Sequence, residues 1–222
     1  CLLMSSMVHA YMREKNIPSS LANNGDDCVL MFEKKHLPKL YDLSDWFIKM
    51  GFKMVIEEPL FDLRQVPFCQ TNVLTSPEYN ISVRSPLVAL SKDLHSTYNF
   101  NHPNQYDQWL SSVGTCGKMS TQGIPVLEAF YSSFPDLEVT NKDFIIEMER
   151  EIEYCMVGGS EKRGISDEMR ISFWRAFGIL PDAQIELETM FKTIKFGGSN
   201  YTHINNTSHI PYASLLQSIL KI

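Results

Sequence analysis

The stretch Ser19 to Phe32, SSLANNGDDCVLMF, decides how this sequence is read: two adjacent carboxylates, Asp26 and Asp27, follow an Asn-Gly pair and precede an apolar run. Asn-Gly between apolar segments is a strong short-range hairpin signal, because both residues tolerate positive φ. The pattern predicts short strands over Ser19 to Ala22 and Cys28 to Phe32, with the carboxylates at the tip. Two carboxylates on a rigid hairpin suit divalent-cation chemistry, since Mg²⁺ takes hard oxygen ligands while keeping waters and phosphate oxygens in its shell. Two-metal phosphoryl transfer needs further ligands from elsewhere. The plainer reading of Asp-Asp in a turn is solvated turn chemistry, so the surrounding chain has to decide between them.

Upstream, CLLMSSMVHAYMREK is amphipathic from its first residues, with Leu3, Met7 and Tyr11 and also Met4 and Val8 at helical spacing. It has no Ser, Thr, Asp or Asn before Cys1 to cap it and no initiator Met, which is what a piece of a longer polypeptide would show. Downstream, the spacing of Leu40, Leu43, Phe47 and Met50 predicts a helix over Leu37 to Met50 stopped by Gly51. Phe52 to Ile56 reads as a strand. Arg64 to Leu74 reads as a strand pair with Pro67 at an edge, and Ile81 and Val83 alternate in a further extended piece. From about Pro86 the chain turns helical. Thr140 and Asp143 predict a capped helix carrying Phe144, Met148, Ile152 and Cys155, and Ser166 opens another that reaches Phe177 before Gly178. Pro181 fits a first helical position, and Gly197-Gly198 is expected to close that last helix. The polar stretch GGSNYTHINNTSH is expected to be mobile. The fold class is α+β, with a soft boundary near residue 90.

Composition narrows the classes. With 44% hydrophobic and 21% charged residues in 222, the chain reads as an ordinary globular protein. No apolar run approaches the roughly 20 residues of a membrane span. The five cysteines form no CxxC pair and stand at no zinc-ligand spacing from the histidines, so they read as reduced thiols. A net charge of −6 argues against an obviously basic nucleic-acid-binding domain, without excluding a local basic channel.

NNGDDCVLMF after one helix and before a helix-strand unit resembles motif C of the palm of positive-strand viral RNA-dependent RNA polymerases. The likeness extends along the chain: CLLMSSMVHAYMREK resembles the later part of the motif B helix, WFIKMGFKMVIEEP motif D, and VPFCQT the motif E hairpin that joins palm to thumb. VRSPLVALSKD, GTCGKMSTQGIPVLEAFY and SFWRAFGILPDAQIELE are similar to thumb segments of tombusvirus-like polymerases. The resemblance implies a partial palm over residues 1–90, with antiparallel strands and helices, and a mainly helical thumb over 91–222.

The same resemblance implies roles for single residues, motif by motif. Asp26 matches the aspartate that binds both catalytic metals, Mg²⁺ with Mn²⁺ as a substitute, and Asp27 the second, weaker or water-mediated ligand. Asn24 and Gly25 are the turn. Gly-Asp-Asp separates the chain from reverse transcriptases, which carry Tyr-x-Asp-Asp there. Phe68, Cys69 and Gln70 match motif E and support the priming 3′ end; Pro67 departs from the acidic residue of many relatives. Lys53 matches the motif D lysine that protonates pyrophosphate, with Lys49 as a competitor and two solvated lysines as the plainer reading. Arg84 and Lys92 stand where cations approach the priming nucleotide, or on ordinary surface. Trp109, Phe173, Trp174 and Phe177 read as thumb core, His9 as a helix residue without a ligand role, and the acidic run from Asp136 to Glu153 as a solvated face. The motif A aspartate, the start of motif B and the motif F cations would precede Cys1. The implied partners are template and nascent RNA, nucleoside triphosphates, the remaining polymerase chain with fingers and motif A, and other viral replication proteins, in the host cytoplasm within a membrane-associated complex reached through partners. Without those upstream motifs the chain alone is expected to be inactive. The competing reading is a non-catalytic RNA-holding or protein-docking module.

Overall fold

Helix α1, Leu2–Glu14, buries Val8, Tyr11 and Met12, positions i, i+3 and i+4 of one stripe. Leu2 and Leu3 stay exposed, so the apolar register holds from Met4 onward. The structure, a computed structural model, describes residues 1–98, 100, 102–156 and 163–197. After Asn16 the chain enters β1, Ser19–Asn24, which pairs antiparallel with β2, Asp27–Phe32. A 3₁₀ segment, Lys34–Leu40, and helix α2, Leu43–Lys49, come next. Val8, Tyr11, Met12, Ile17, Leu43 and Phe47 form the buried core, with Leu21, Leu30 and Phe32 of the hairpin packed on it.

A polar latch fixes α1 to the residue before α2. The Tyr11 hydroxyl donates to Asp42 Oδ1 at 2.7 Å, and Lys15 Nζ meets Asp42 Oδ2 at 2.6 Å. The Lys15 hydrogen bond, helped by Tyr11, holds the Asp42 carboxyl below its usual range, while burial and then Asp42 push the Tyr11 phenol up.

These elements belong to a first compact unit, Cys1–Thr71; a second begins at Asn72. The second contains most of β3, Thr71–Thr75, with β4, Asn80–Arg84, in a two-stranded sheet. Its helices are α3 (Pro86–Lys92), α4 (Pro103–Ser120), α5 (Leu127–Ser132), α6 (Lys142–Met156), α7 (Asp167–Phe177) and α8 (Pro181–Thr193). Leu74, Val83, Leu90, Trp109, Leu110, Phe130, Phe173 and Leu187 share one core. Gly114 and Gly117 let α4 lie close against α5 and its C-terminal end: a Cβ at Gly117 would lie 2.2 Å from Tyr131 Cδ1, and one at Gly114 2.6 Å from Phe134 Cβ. The α+β class therefore holds, as two small antiparallel sheets among many helices.

Several expectations are corrected. The helix over Leu37 to Met50 is broken, because Pro38 sits in the 3₁₀ segment and Asp42 is engaged by Tyr11 and Lys15 before α2 starts; Met50 is exposed. Phe52 to Ile56 forms no strand, since no neighbouring strand pairs with it among the described residues, and Val55 and Ile56 are exposed. Of the strand pair expected over Arg64 to Leu74 only the second part forms, as β3 paired with β4; before it stand a 3₁₀ turn at Leu63–Gln65 and an isolated bridge between Phe68 and Thr71. Asn141, not Thr140, caps α6: its Oδ1 accepts from Asp143 N–H at 3.0 Å, while Thr140 Oγ1 donates to Gln108. Ser166 and the left-handed Gly178 bound α7, in agreement with the sequence pattern. Helix α8 stops at Thr193, where Ile194 turns extended before Gly197. Trp174 is exposed, unlike Trp109 and Phe173. The acidic face of α6 is solvated. The two compact units divide between Thr71 and Asn72, with Leu74 and Val83 in the second core. The polar stretch from residue 198 onward and the Cys155 side chain lie outside the described residues.

One partly buried ion pair holds a strained turn. Arg170 Nη1 and Nη2 donate to Glu188 Oε1 and Oε2 at 2.9 and 3.0 Å, and Val126 N–H donates to the same Oε1 at 3.1 Å. Val126 sits at φ 67°, ψ −52°, and Leu127 N–H closes a three-residue turn onto the Pro125 carbonyl at 2.7 Å. A β-branched residue rarely adopts that conformation. Replacing Glu188 by Ala leaves a half-buried guanidinium and a buried amide without their acceptor. Glu188→Ala should lower stability by about 3 kcal/mol, measured as the urea midpoint of tryptophan fluorescence, whereas Glu186→Ala on the same helix should cost under about 0.5 kcal/mol.

Candidate functional site

The pairing of β1 with β2 runs from Ser19 opposite Phe32 to Asn24 opposite Asp27, leaving Gly25 and Asp26 as a two-residue loop. Gly25 has φ 71°, and Asp26 keeps a negative φ. Positive φ at the first loop position alone is the II′ arrangement. The Asn-Gly pair therefore does not form the loop centre; Asn24 is the last strand residue, because β1 runs two residues and β2 one residue further toward the tip than the apolar pattern implies. A Cβ at Gly25 would meet nothing within 4 Å, so glycine is needed there for its φ and not for space.

Alternation along the ladder divides the hairpin into two faces. Leu21, Asn23, Cys28, Leu30 and Phe32 share one, which packs on the first core; Ala22, Asn24, Asp27, Val29 and Met31 share the other. On that second face the chain returns at Cys69. Cys69 N–H donates to Asp27 Oδ2 at 2.7 Å, and Asn24 Nδ2 approaches Cys69 Sγ at 3.2 Å. Gly25 N–H donates to Cys1 Sγ at 2.9 Å. Asp26 is exposed and makes no hydrogen bond or ion pair among the described residues. Burial, then the Asp27 charge, raises the Cys28 thiol above its ordinary range.

The segment read as motif E is a tight turn. Phe68 N–H donates to the Thr71 carbonyl at 2.8 Å and Thr71 N–H to the Phe68 carbonyl at 3.0 Å, with Cys69 at φ 52° and Gln70 at φ 63°. Two consecutive positive φ values define the I′ form, normally supplied by Asn and Gly. Here a cysteine and a glutamine adopt it, and the Cys69 amide is aimed at Asp27.

Other expected residues stand elsewhere. Lys49 and Lys53 are exposed and make no ion pair among the described residues. Arg84, in the second unit, donates from Nη1 to Asp93 Oδ1 at 2.6 Å, and the Tyr131 hydroxyl donates to Asp93 Oδ2 at 2.6 Å. Burial, then Asp93, raises the Tyr131 phenol. Lys92 is exposed, and so is His9. The motif strings contain three further residues that shape the tip, Cys1, Ser5 and Asn23, without giving them a role. Asn23 gave a signal: it is a polar residue on the core-facing side of the Leu21 alternation.

No group of three or more His, Cys, Asp or Glu is arranged to hold a metal ion among the described residues. Asp26 and Asp27 offer hard oxygen donors, which suits Mg²⁺, but one Asp27 oxygen already accepts from Cys69 and two carboxylates do not complete an octahedral shell. The pair fits as part of a donor set.

Residues 1–198 match the family of viral RNA dependent RNA polymerases. The chain belongs to that family. It is 38% identical over 187 residues to the RNA-directed RNA polymerase of Pothos latent virus, covering 84% of this chain and 25% of that protein. The corresponding enzyme of Tobacco necrosis virus is 38% identical over 202 residues, covering 88% and 28%, and that of Tomato bushy stunt virus 37% over 189 residues, covering 84% and 23%. The chain thus spans about a quarter of the length of the curated relatives it matches. No solved structure matches it. The polymerase family, tombusvirus-like in its relatives, is the one named from the motifs.

The I′ turn of this polymerase chain carries strain that glycine would relieve. Non-Gly residues at such φ cost about 1–3 kcal/mol, against about 0.5–1 kcal/mol for the extra chain entropy of glycine. Gln70→Gly should stabilise the chain by about 1 kcal/mol and Gln70→Val destabilise it, both read from the denaturant midpoint.

Proposed function

We propose that this chain supplies the second half of the palm, residues 1–90, and the thumb, residues 91–222, of an RNA-directed RNA polymerase that joins nucleoside triphosphates to a growing 3′ hydroxyl. The observation that carries this reading is the adjacency of Asp26 and Asp27 at a hairpin tip whose second carboxylate is tied to the Phe68–Thr71 turn. Asp26, exposed and without a partner among the described residues, is the main ligand of Mg²⁺, or Mn²⁺ in its place; Asp27, with one oxygen engaged, is the lesser one. Bound there together with carboxylates from the rest of the polymerase, the cations would neutralise charge on the attacking and leaving oxygens.

The chain's own residues do the positioning. Asn24 and Gly25 set the tip, and Phe68, Cys69 and Gln70 support the 3′ end of nascent RNA close to it. Lys53, or Lys49 in its stead, gives a proton to departing pyrophosphate. Arg84 keeps donors free of Asp93 for a phosphate, and Lys92 adds charge nearby in sequence. Template and nascent RNA, nucleoside triphosphates, fingers with motif A, and other viral replication proteins are the partners. The setting is the host cytoplasm, in a membrane-associated complex held by those partners. Among the described residues no helix is long and apolar enough to cross a membrane.

The test is template-directed incorporation by the complete polymerase. Asp26→Asn should lower it by several orders of magnitude, because a neutral amide cannot replace an anionic oxygen ligand for a hard divalent cation. Asp27→Asn should cost less, with partial recovery in Mn²⁺. The 222 residues alone should extend no primer. Undiminished synthesis by Asp26→Asn would favour the RNA-holding module instead.

A further inference from the structure

Asn23 sits where the tip meets α1, and its amide makes three hydrogen bonds. Ser5 Oγ of α1 donates to Asn23 Oδ1 at 3.2 Å, and Asn23 Nδ2 donates to the Gly25 carbonyl at 3.2 Å and the Asp27 carbonyl at 3.1 Å. Two carbonyl acceptors on one side and a hydroxyl donor on the other fix which way the amide points. The side chain is half-buried and faces the core side of the hairpin, where alternation would otherwise place an apolar residue.

The bonds span the loop. Gly25 and Asp27 flank Asp26 on either side, so one NH₂ group grips the backbone immediately before and after the exposed carboxylate. The ladder alone does not do this, because the Asn24–Asp27 pair is its last and both loop residues lie beyond it. An exposed loop on a two-stranded ladder belongs to the segments that open most readily. Asn23 therefore opposes fraying at the one place where a displacement of about 1 Å would matter to chemistry.

We infer that Asn23 is a positioning residue of the polymerase tip, which holds the Asp26 carboxylate in register by bonding the carbonyls on both sides of it and passing the load through Ser5 to α1. This rests on the polymerase reading of the tip. Asn23 touches neither substrate nor cation in this role; it acts through backbone.

The decisive property is the donor, not the volume, and substitutions separate the two. Asn23→Ala removes the donor and leaves space. Asn23→Asp keeps the shape but turns a carboxylate oxygen toward two carbonyl oxygens. The first readout needs neither activity nor metal: amide hydrogen exchange of Gly25 and Asp27, whose N–H groups the tip holds on Cys1 and in the ladder, in the complete polymerase without divalent ions. Exchange should accelerate about tenfold in Asn23→Ala and further in Asn23→Asp, with α2 unchanged. The second is single-nucleotide incorporation, where kcat should fall about 10-fold in Ala and about 100-fold in Asp while KM for the nucleotide stays within about twofold. Ser5→Ala should show the same pattern more weakly, and serves if Asn23→Asp does not fold. Exchange in Asn23→Asp nearer to wild type than in Asn23→Ala, or tip exchange unchanged in Asn23→Ala or Ser5→Ala, would overturn the inference. Full synthesis by Asp26→Asn alongside fast tip exchange in Asn23→Ala would overturn the polymerase reading and leave the brace standing.

Discussion

The register of one short ladder governs the candidate site. With Leu21 opposite Leu30 and Asn24 opposite Asp27, the apolar side chains of the hairpin reach the first core while Asp27 turns to the face that Cys69 meets. A slip of one residue would exchange the faces, carrying Leu30 to solvent and Asp27 toward Tyr11 and Met12. Burial of Leu21, Leu30 and Phe32 therefore fixes not only that a hairpin forms but where its carboxylates point. Packing and chemistry are specified by the same alternation.

Around that ladder the chain spends two positive-φ turns in different ways. At Gly25 the conformation costs nothing sterically, and the loop is held from outside by Asn23 and Cys1. At Cys69 and Gln70 it is strained and held by its own reciprocal backbone bonds and by Asp27. The Asp27 carboxylate stabilises the strained turn by accepting its amide, and the turn in return restrains the carboxylate. Each partner narrows the freedom of the other, which is a form of preorganisation built from two local costs.

Much of this was legible in the sequence, for reasons that also mark where legibility ends. The hairpin, the helix start at Ser166, the stop at Gly178 and Pro181 at a first helical position depend on local chemistry, and local chemistry is written in adjacent residues. The loop centre was displaced by one residue because Asn-Gly favours a I′ turn on its own, whereas the added Asn24–Asp27 pair selects II′. Phe52 to Ile56 has strand composition, but a strand also needs a neighbour, and none lies beside it among the described residues. The Cys69–Asp27 bond joins residues 42 apart in the chain, and nothing in VPFCQT announces that Cys69 and Gln70 adopt positive φ. Asn23 carries a weaker signal, a polar residue on an apolar strand face, than the carboxylates three and four residues after it.

The second core has a different sequence span, and that span bears on how the chain is made. All the buried residues of the first core, Val8 to Phe47, have been synthesised well before the second core begins at Leu74. The second closes only when Phe196 joins, its ring against Phe130 and Phe134 and its amide on the Ser133 carbonyl at 3.0 Å. Thr75 N–H likewise waits for Ser172 Oγ, 97 residues later. At roughly 5–20 residues per second of translation, β3 and β4 emerge several seconds or more before α7 and α8 can cover them. During that interval Leu74 and Val83 have no complete core to enter. The nascent chain thus exposes its second sheet while its hairpin is already free to form, and chaperone capture on the ribosome would fall on residues 72–84 sooner than on the aspartates.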